Sequence, residues 1–208
     1  MVLIDGTTVQ IKCEADADIR FDLIVTEEIR VQLESYMPIY RGLQPPMIEG
    51  TYLMEPTTTV FCSDFGNGGF AQGSVRNSLY FRFKNQNQST NTLDYEQHEV
   101  SVGTSTGNGV FISGSGSNFT AYFDVEGNTG GIQWKQAVIV SGTKTVTGIS
   151  NLFYAIAMLE KGSDTGHKLM NEGVIRVFKD GDDVSEASVW PSTSRMDANT
   201  ISNYILFD

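Results

Sequence analysis

From Ile48 onward the sequence is a succession of period-two apolar runs broken by glycine, asparagine and serine clusters, a pattern that points to an antiparallel β fold. Eight strand segments stand out: about Gly50–Cys62, Ser78–Lys84, Thr92–Val102, Val110–Ser115, Phe119–Glu126, Ile132–Val140, Gly148–Lys161 and Gly173–Asp180. Leu79, Phe81 and Phe83 share one face of their segment, as do Phe119, Ala121, Phe123 and Val125 of theirs. Pro56 marks a bulge or an exposed edge. After residue 70 the segments follow one another through short turns, with no long crossover. The expected fold is therefore mainly β, an eight-stranded up-and-down antiparallel barrel, with a two-sheet β-sandwich as the alternative. The interior of such a barrel is filled by side chains or holds one small ligand.

The first 45 residues read differently. Val9 and Ile11 alternate with Thr8, Gln10 and Lys12, and Ile19, Phe21, Leu23 and Val25 alternate with Asp18, Arg20 and Asp22, which predicts a hairpin. Thr26 then caps a short helix with Glu27 and Glu28 in its first turn and Ile29, Leu33 and Tyr36 on one face. Pro38, Gly42 and Pro45-Pro46 end it. The chain divides into residues 1–45, a hairpin and helix packed on the body, and 46–208, a β-barrel domain with a C-terminal extension. Leu152–Leu159 is apolar at both parities. Its flanking glycines and aromatics favour a strand over a helix, and such a strand needs cover on its outer face too. The N-terminal hairpin or helix is the obvious cover.

Charge narrows the partners. The 208 residues carry 14 Lys+Arg against 25 Asp+Glu, a net −11, with no basic stripe to track phosphates, so neither nucleic acid nor an anionic membrane surface is an expected partner. The longest apolar run falls well short of the ~20 residues of a spanning helix. Residues 1–12 have neither the basic nor the apolar region of a signal peptide. Cys13 and Cys62 match no zinc spacing; they are either two buried thiols or one disulfide.

A short helix, then Gly50-Thr51-Tyr52 opening a strand, then seven further strands resembles the lipocalin or calycin layout over roughly residues 26–180. That family opens its first strand with Gly-x-Trp and stacks a late Arg on the Trp. The resemblance implies that Gly50 and Tyr52 take the opening positions and that Arg176, in Val174-Ile175-Arg176-Val177-Phe178, closes the barrel floor on Tyr52. Pro45–Tyr52, Phe111–Gly116 and Val174–Asp183 are also similar to stretches of uncharacterised secreted lipoproteins of gut Bacteroidetes. That similarity implies an extracytoplasmic location, periplasm or cell surface, with a lipid anchor upstream of this chain, since Val9–Cys13 lacks a lipoprotein cleavage pattern. It implies no activity.

No residue is assigned a catalytic role. Gly103-Thr104-Ser105-Thr106-Gly107 has the spacing of a nucleophile elbow, but joins two β segments where the elbow needs a strand-to-helix turn, so it is read as a hairpin turn. His98 and His167 lack a recognisable setting, and Asp180-Gly181-Asp182-Asp183 with Glu186 fails the EF-hand spacing. No metal or cofactor is expected. Phe81, Phe83, Tyr95, Phe123, Trp134, Tyr154 and Phe178 are the candidate ligand-lining residues, with core packing as the plainer alternative. The expectation is a non-catalytic envelope protein that binds a small apolar or amphipathic molecule in a β-barrel. A structural or adhesive surface protein with a filled barrel is the alternative, and a glycan-acting hydrolase the weakest.

Overall fold

The structure, a computed structural model, describes residues 20–100 and 103–191 together with the two short strands β1 (Val2–Ile4) and β2 (Thr7–Val9), which pair antiparallel. Two helices follow, α1 (Phe21–Ile24) and α2 (Glu27–Tyr36). Next come β3 (Leu43–Gln44), β4 (Gly50–Met54), β5 (Thr57–Cys62), β6 (Val75–Arg76), β7 (Leu79–Asn87) and β8 (Thr92–Glu99). Four long strands, β9 (Gly103–Ser115), β10 (Asn118–Thr129), β11 (Ile132–Lys144) and β12 (Gly148–Lys161), precede β13 (Ile175–Asp180) and β14 (Val184–Ala187).

The strands form because alternate side chains have a core to enter. In β7, Leu79, Phe81 and Phe83 are buried while Tyr80, Arg82 and Lys84 are half-buried. From β7 to β12 each strand pairs antiparallel with the next. The other edge of β12 is shared, with Gly148–Ser150 on β14 and Phe153–Ala157 on β13. β13 and β14 in turn pair with β5 and β4, and β4 pairs with β7. Apart from the β1–β2 pair, the strands join in one continuous sheet, whose pairings trace a partial ring of eight strands.

The ring is incomplete in two places. At the β4–β14 seam only two residue pairs register. Between β9 and β10 the ladder runs from Ser115–Asn118 to Phe111–Tyr122 and stops there, although β9 starts back at Gly103 and β10 continues to Thr129.

Two apolar clusters lie on opposite faces of the sheet. The inner one takes Leu152, Tyr154, Ile156 and Met158 of β12; the outer one takes Ala155 and Ala157, with Phe153 and Leu159 packed against it. Residues 152–159 are therefore strand, covered on both faces, and the outer cover is helical. Phe21, Val25, Ile29, Leu33 and Met37, each four residues from the last, are buried in that outer cluster. Thr26 caps α2, accepting from the Ile29 N–H at 3.4 Å.

Three local expectations are corrected. Residues 21–24 are helix, not the second strand of a hairpin: Phe21 and Val25 are buried but Leu23 is 80% exposed, which a strand with all three on one face would forbid. The expected first strand overlaps β2 at Thr8 and Val9, and its remainder lies outside the described residues. Tyr36 is no part of the buried helix face; it is 39% exposed and stacks on Phe61 with centroids 3.8 Å apart. Gly103–Gly107 is strand, not a turn, because its backbone pairs with Tyr95–Glu99 of β8.

Candidate functional site

The seven aromatic residues singled out from the sequence all belong to the inner apolar cluster, and six of them meet in ring contacts. Tyr95 lies 4.2 Å from Phe123 and 5.8 Å from Phe83, and Phe81 lies 5.5 Å from Tyr154, which stacks at 5.9 Å on Phe178. Trp134 belongs to the same inner cluster and donates its indole N–H to Thr129 Oγ1 at 2.8 Å. None of the seven is more than 8% exposed. Rings in contact at these distances add to the area they bury, so together they form an aromatic plug on the inner face of the sheet.

Polar groups gather beside that plug, toward the end where β9 and β10 part. Along β8 the inner face runs Leu93, Tyr95, Gln97, Glu99, all buried. The Tyr95 hydroxyl donates to Gln97 Oε1 at 2.5 Å, the Tyr154 side chain also hydrogen-bonds Gln97, and Asn77 Nδ2 donates to Glu99 Oε1 at 3.0 Å. Burial pushes both tyrosine hydroxyls well above their ordinary range, so they stay protonated donors at neutral pH.

Gln136 is a further buried polar side chain, on β11. It shares its face with Trp134 and Val138, its cross-strand partner is the inward Val125, and it is 5% exposed. Its Oε1 is buried and has no hydrogen-bond partner. An acceptor left so costs about 1–3 kcal/mol.

The expected closure of Arg176 on Tyr52 is not made. Register places Tyr52 opposite Ala187 and Arg176 opposite Cys62, so the two stand near opposite ends of the paired strands, roughly 30 Å apart at strand rise. The cation over the Tyr52 ring is Lys144 Nζ, 5.3 Å from its centroid, and Gly50 lies against the Tyr52 hydroxyl at a φ of +140°. Arg176 instead pairs with Asp64 at 2.7 Å and donates to the Gly68 carbonyl at 2.9 Å. Phe70 lies between two guanidiniums, Arg76 at 3.6 Å and Arg176 at 4.9 Å from its centroid.

Cys62 is a buried free thiol whose pKa is raised by burial; Cys13 lies outside the described residues. Ser105 sits mid-strand opposite Gln97, with no following helix. His98, buried, is flanked by Tyr80 and Trp190, and burial lowers its pKa; His167 is exposed. Asp180–Asp183 is the turn between β13 and β14, where burial raises Asp180 to about 6 while Ser185 donates to it at 2.5 Å. Among the described residues, no three His, Cys, Asp or Glu side chains gather as metal ligands.

The described surface also carries a groove of about 480 Å³ between the start of α2 and the end of β12, lined by Ile24, Ile29, Gln32, Leu159 and Glu160 among others. A smaller cavity of about 310 Å³ lies over Gln133, Lys135 and Lys161.

Sequence reasoning put the aromatics forward and passed over Gln97, Glu99, Gln136, Asp64 and Phe70. A signal for the first three was present, since Gln97 and Glu99 continue the parity of Leu93 and Tyr95, and Gln136 that of Trp134 and Val138. Compared with protein-family models, curated proteins and solved structures, the chain finds no significant match in any of the three.

Proposed function

We propose that this chain is a non-catalytic binding protein built on an eight-stranded up-and-down β-barrel of lipocalin-like layout, holding a small amphipathic molecule at one end of its interior. The observation that carries the reading is the composition of the inner face: an apolar plug around Tyr95, Phe123 and Tyr154, and on the same face the buried polar side chains of Gln97, Glu99 and Gln136. Small-molecule sites have this composition, mostly apolar with a few convergent polar groups that fix orientation. The order of the ladders supports the barrel, since β7 to β12 pair in sequence and β14, paired with β12, leads back through β4 to β7. Among the described residues no helix is long and apolar enough to cross a membrane. An envelope location is part of the proposal and rests on the lipoprotein resemblance alone.

Native mass spectrometry tests the reading. Protein purified from its own source should carry a small-molecule mass that disappears on denaturation, and stripped protein should take up added amphipathic probes. Equal native and denatured masses with no uptake would sink it. The contacts within the plug favour a second reading, a structural or adhesive surface protein whose filled barrel is only a scaffold. That reading predicts no uptake together with self-association or attachment to a surface.

A further inference from the structure

We infer that the occupant of this interior end presents a hydrogen-bond donor, a hydroxyl or an N–H on an apolar body, and that Gln136 Oε1 is the acceptor that selects it. The inference rests on the binding reading above and names the ligand chemistry. Gln136 stands in an apolar wall: Val125 of β10 and Met158 of β12 oppose it, and Trp134 and Val138 flank it on its own strand. The Trp134 indole N–H is already given to Thr129. The amide oxygen is thus buried, faces the interior and lacks a partner. An acceptor in that state holds out for a donor that enters with an apolar surround.

The end of the β9–β10 ladder is an independent observation. The β9–β10 ladder ends at Phe111–Tyr122, and the next inward residues of β10 are Phe123 and Val125, the latter the cross-strand partner of Gln136. This unpaired stretch, where the Phe123 ring lies against Gly107 of β9, is therefore one strand away from the unpartnered oxygen. On β9 its edge is Gly103–Gly107, opposite Glu99–Tyr95. A molecule admitted there would set its donor on Gln136 and its body against Phe123 and Met158.

The test uses two probes of similar size, benzyl alcohol and toluene, titrated into the whole chain and followed by amide chemical shifts. The intact protein should bind benzyl alcohol about tenfold more tightly than toluene, with shifts at residues of β10 and β11, because a site left with an unmet acceptor rejects the analogue that lacks the donor. Gln136→Leu should lose that preference while still binding toluene. Should Gln136→Leu fail to fold, Gln136→Met, nearer in shape, takes its place. Equal binding of both probes by the intact protein, or a preference that survives the substitution, overturns the role of Gln136 and leaves the binding reading standing. Binding of neither probe overturns both. A benzyl alcohol preference with shifts confined to the α2 groove also overturns it.

Discussion

The Arg176 guanidinium and the Asp64 carboxylate meet at 2.7 Å with side chains 0% and 5% exposed, joining β13 to the loop that follows β5. Desolvating two charges costs as much as their attraction returns unless further bonds complete the set, and here the Gly68 carbonyl and the Phe70 ring do so. Asp64→Ala leaves the guanidinium buried without its counter-charge. The expected loss is about 3–5 kcal/mol, read as a fall in the urea midpoint. Replacing Arg176 by Met together with Asp64→Leu should cost much less. Equal losses in the two variants would mean that the ion pair is not what matters there.

Two buried aspartates give stability opposite dependences on pH. Burial raises the Asp180 carboxyl from 3.8 to about 6, with the neighbouring Asp182 adding to the effect of burial and Ser185 opposing it. The folded state holds that proton more tightly than the unfolded chain, so its contribution is complete below about pH 4 and disappears as pH rises through about 6. Burial also raises the carboxyl of Asp164, but the N–H groups of Lys168 and Leu169 and the Lys161 ammonium outweigh it and hold the group at about 2. Its contribution is present above pH 4 and is lost as pH falls toward 2. Asp180→Asn should therefore gain on the parent by roughly 2 kcal/mol between pH 4 and pH 7. Chemical denaturation at several pH values reads the difference, and parallel curves would refute it.

Trp134 lies flat against Gly127, its cross-strand partner: a β-carbon on residue 127 would fall 2.2 Å from the indole Cζ2. Gly127→Ala must push the ring away from the Thr129 hydroxyl. The expected cost is about 1–3 kcal/mol, with a changed near-ultraviolet Trp signal. An unchanged spectrum at full stability would show that the ring has room to move.

Period two made the β body legible, because Leu79-Phe81-Phe83 alternates with Tyr80, Arg82 and Lys84 on a strand whose other face is half-exposed, and Thr120 and Tyr122, though both buried, still interrupt the run of Phe119, Ala121 and Phe123. It misled at the N-terminus for a definite reason. Phe21 and Val25 are four apart, a spacing that serves a strand face and a helix face alike, and only Leu23 decides between them by being exposed. The start of β9 was illegible because Gly103–Gly107 carries no apolar alternation; β8 supplies its hydrogen bonds. In the candidate site, inward parity is readable for Phe81, Phe83, Tyr95 and Phe123 but not for Tyr154, whose segment is apolar at both parities, and contact between rings arises from the pairing of strands distant in sequence. Arg176 was assigned to Tyr52 by likeness of layout, whereas the partner that holds it, Asp64, lies in a loop with no periodicity to read.

The stripe from Phe21 to Met37 is what keeps the outer face of β12 and β13 dry. Leu33, fully buried, is at the centre of α2. Leu33→Ala should cost about 2–5 kcal/mol. It should also raise the binding of a hydrophobic dye before global unfolding, as α2 lifts from the apolar face beneath. A single cooperative loss with no dye-binding stage would show that helix and sheet unfold as one unit.

Cys62 ends β5, where it is 7% exposed and its thiol pKa is raised by burial. The thiolate is the reactive form, so a thiol that is both shielded and harder to ionise should react slowly with a disulfide reagent at pH 8. Two measurements follow. In Cys13→Ser, which leaves Cys62 as the sole thiol, labelling of the native protein should be at least tenfold slower than labelling in denaturant, and rapid native labelling would contradict the burial. In the parent chain, unfolded without reductant, the free thiol at Cys62 predicts two titratable groups. A count of zero there would establish a Cys13–Cys62 disulfide in place of the free thiol and fasten the N-terminal segment to the end of β5.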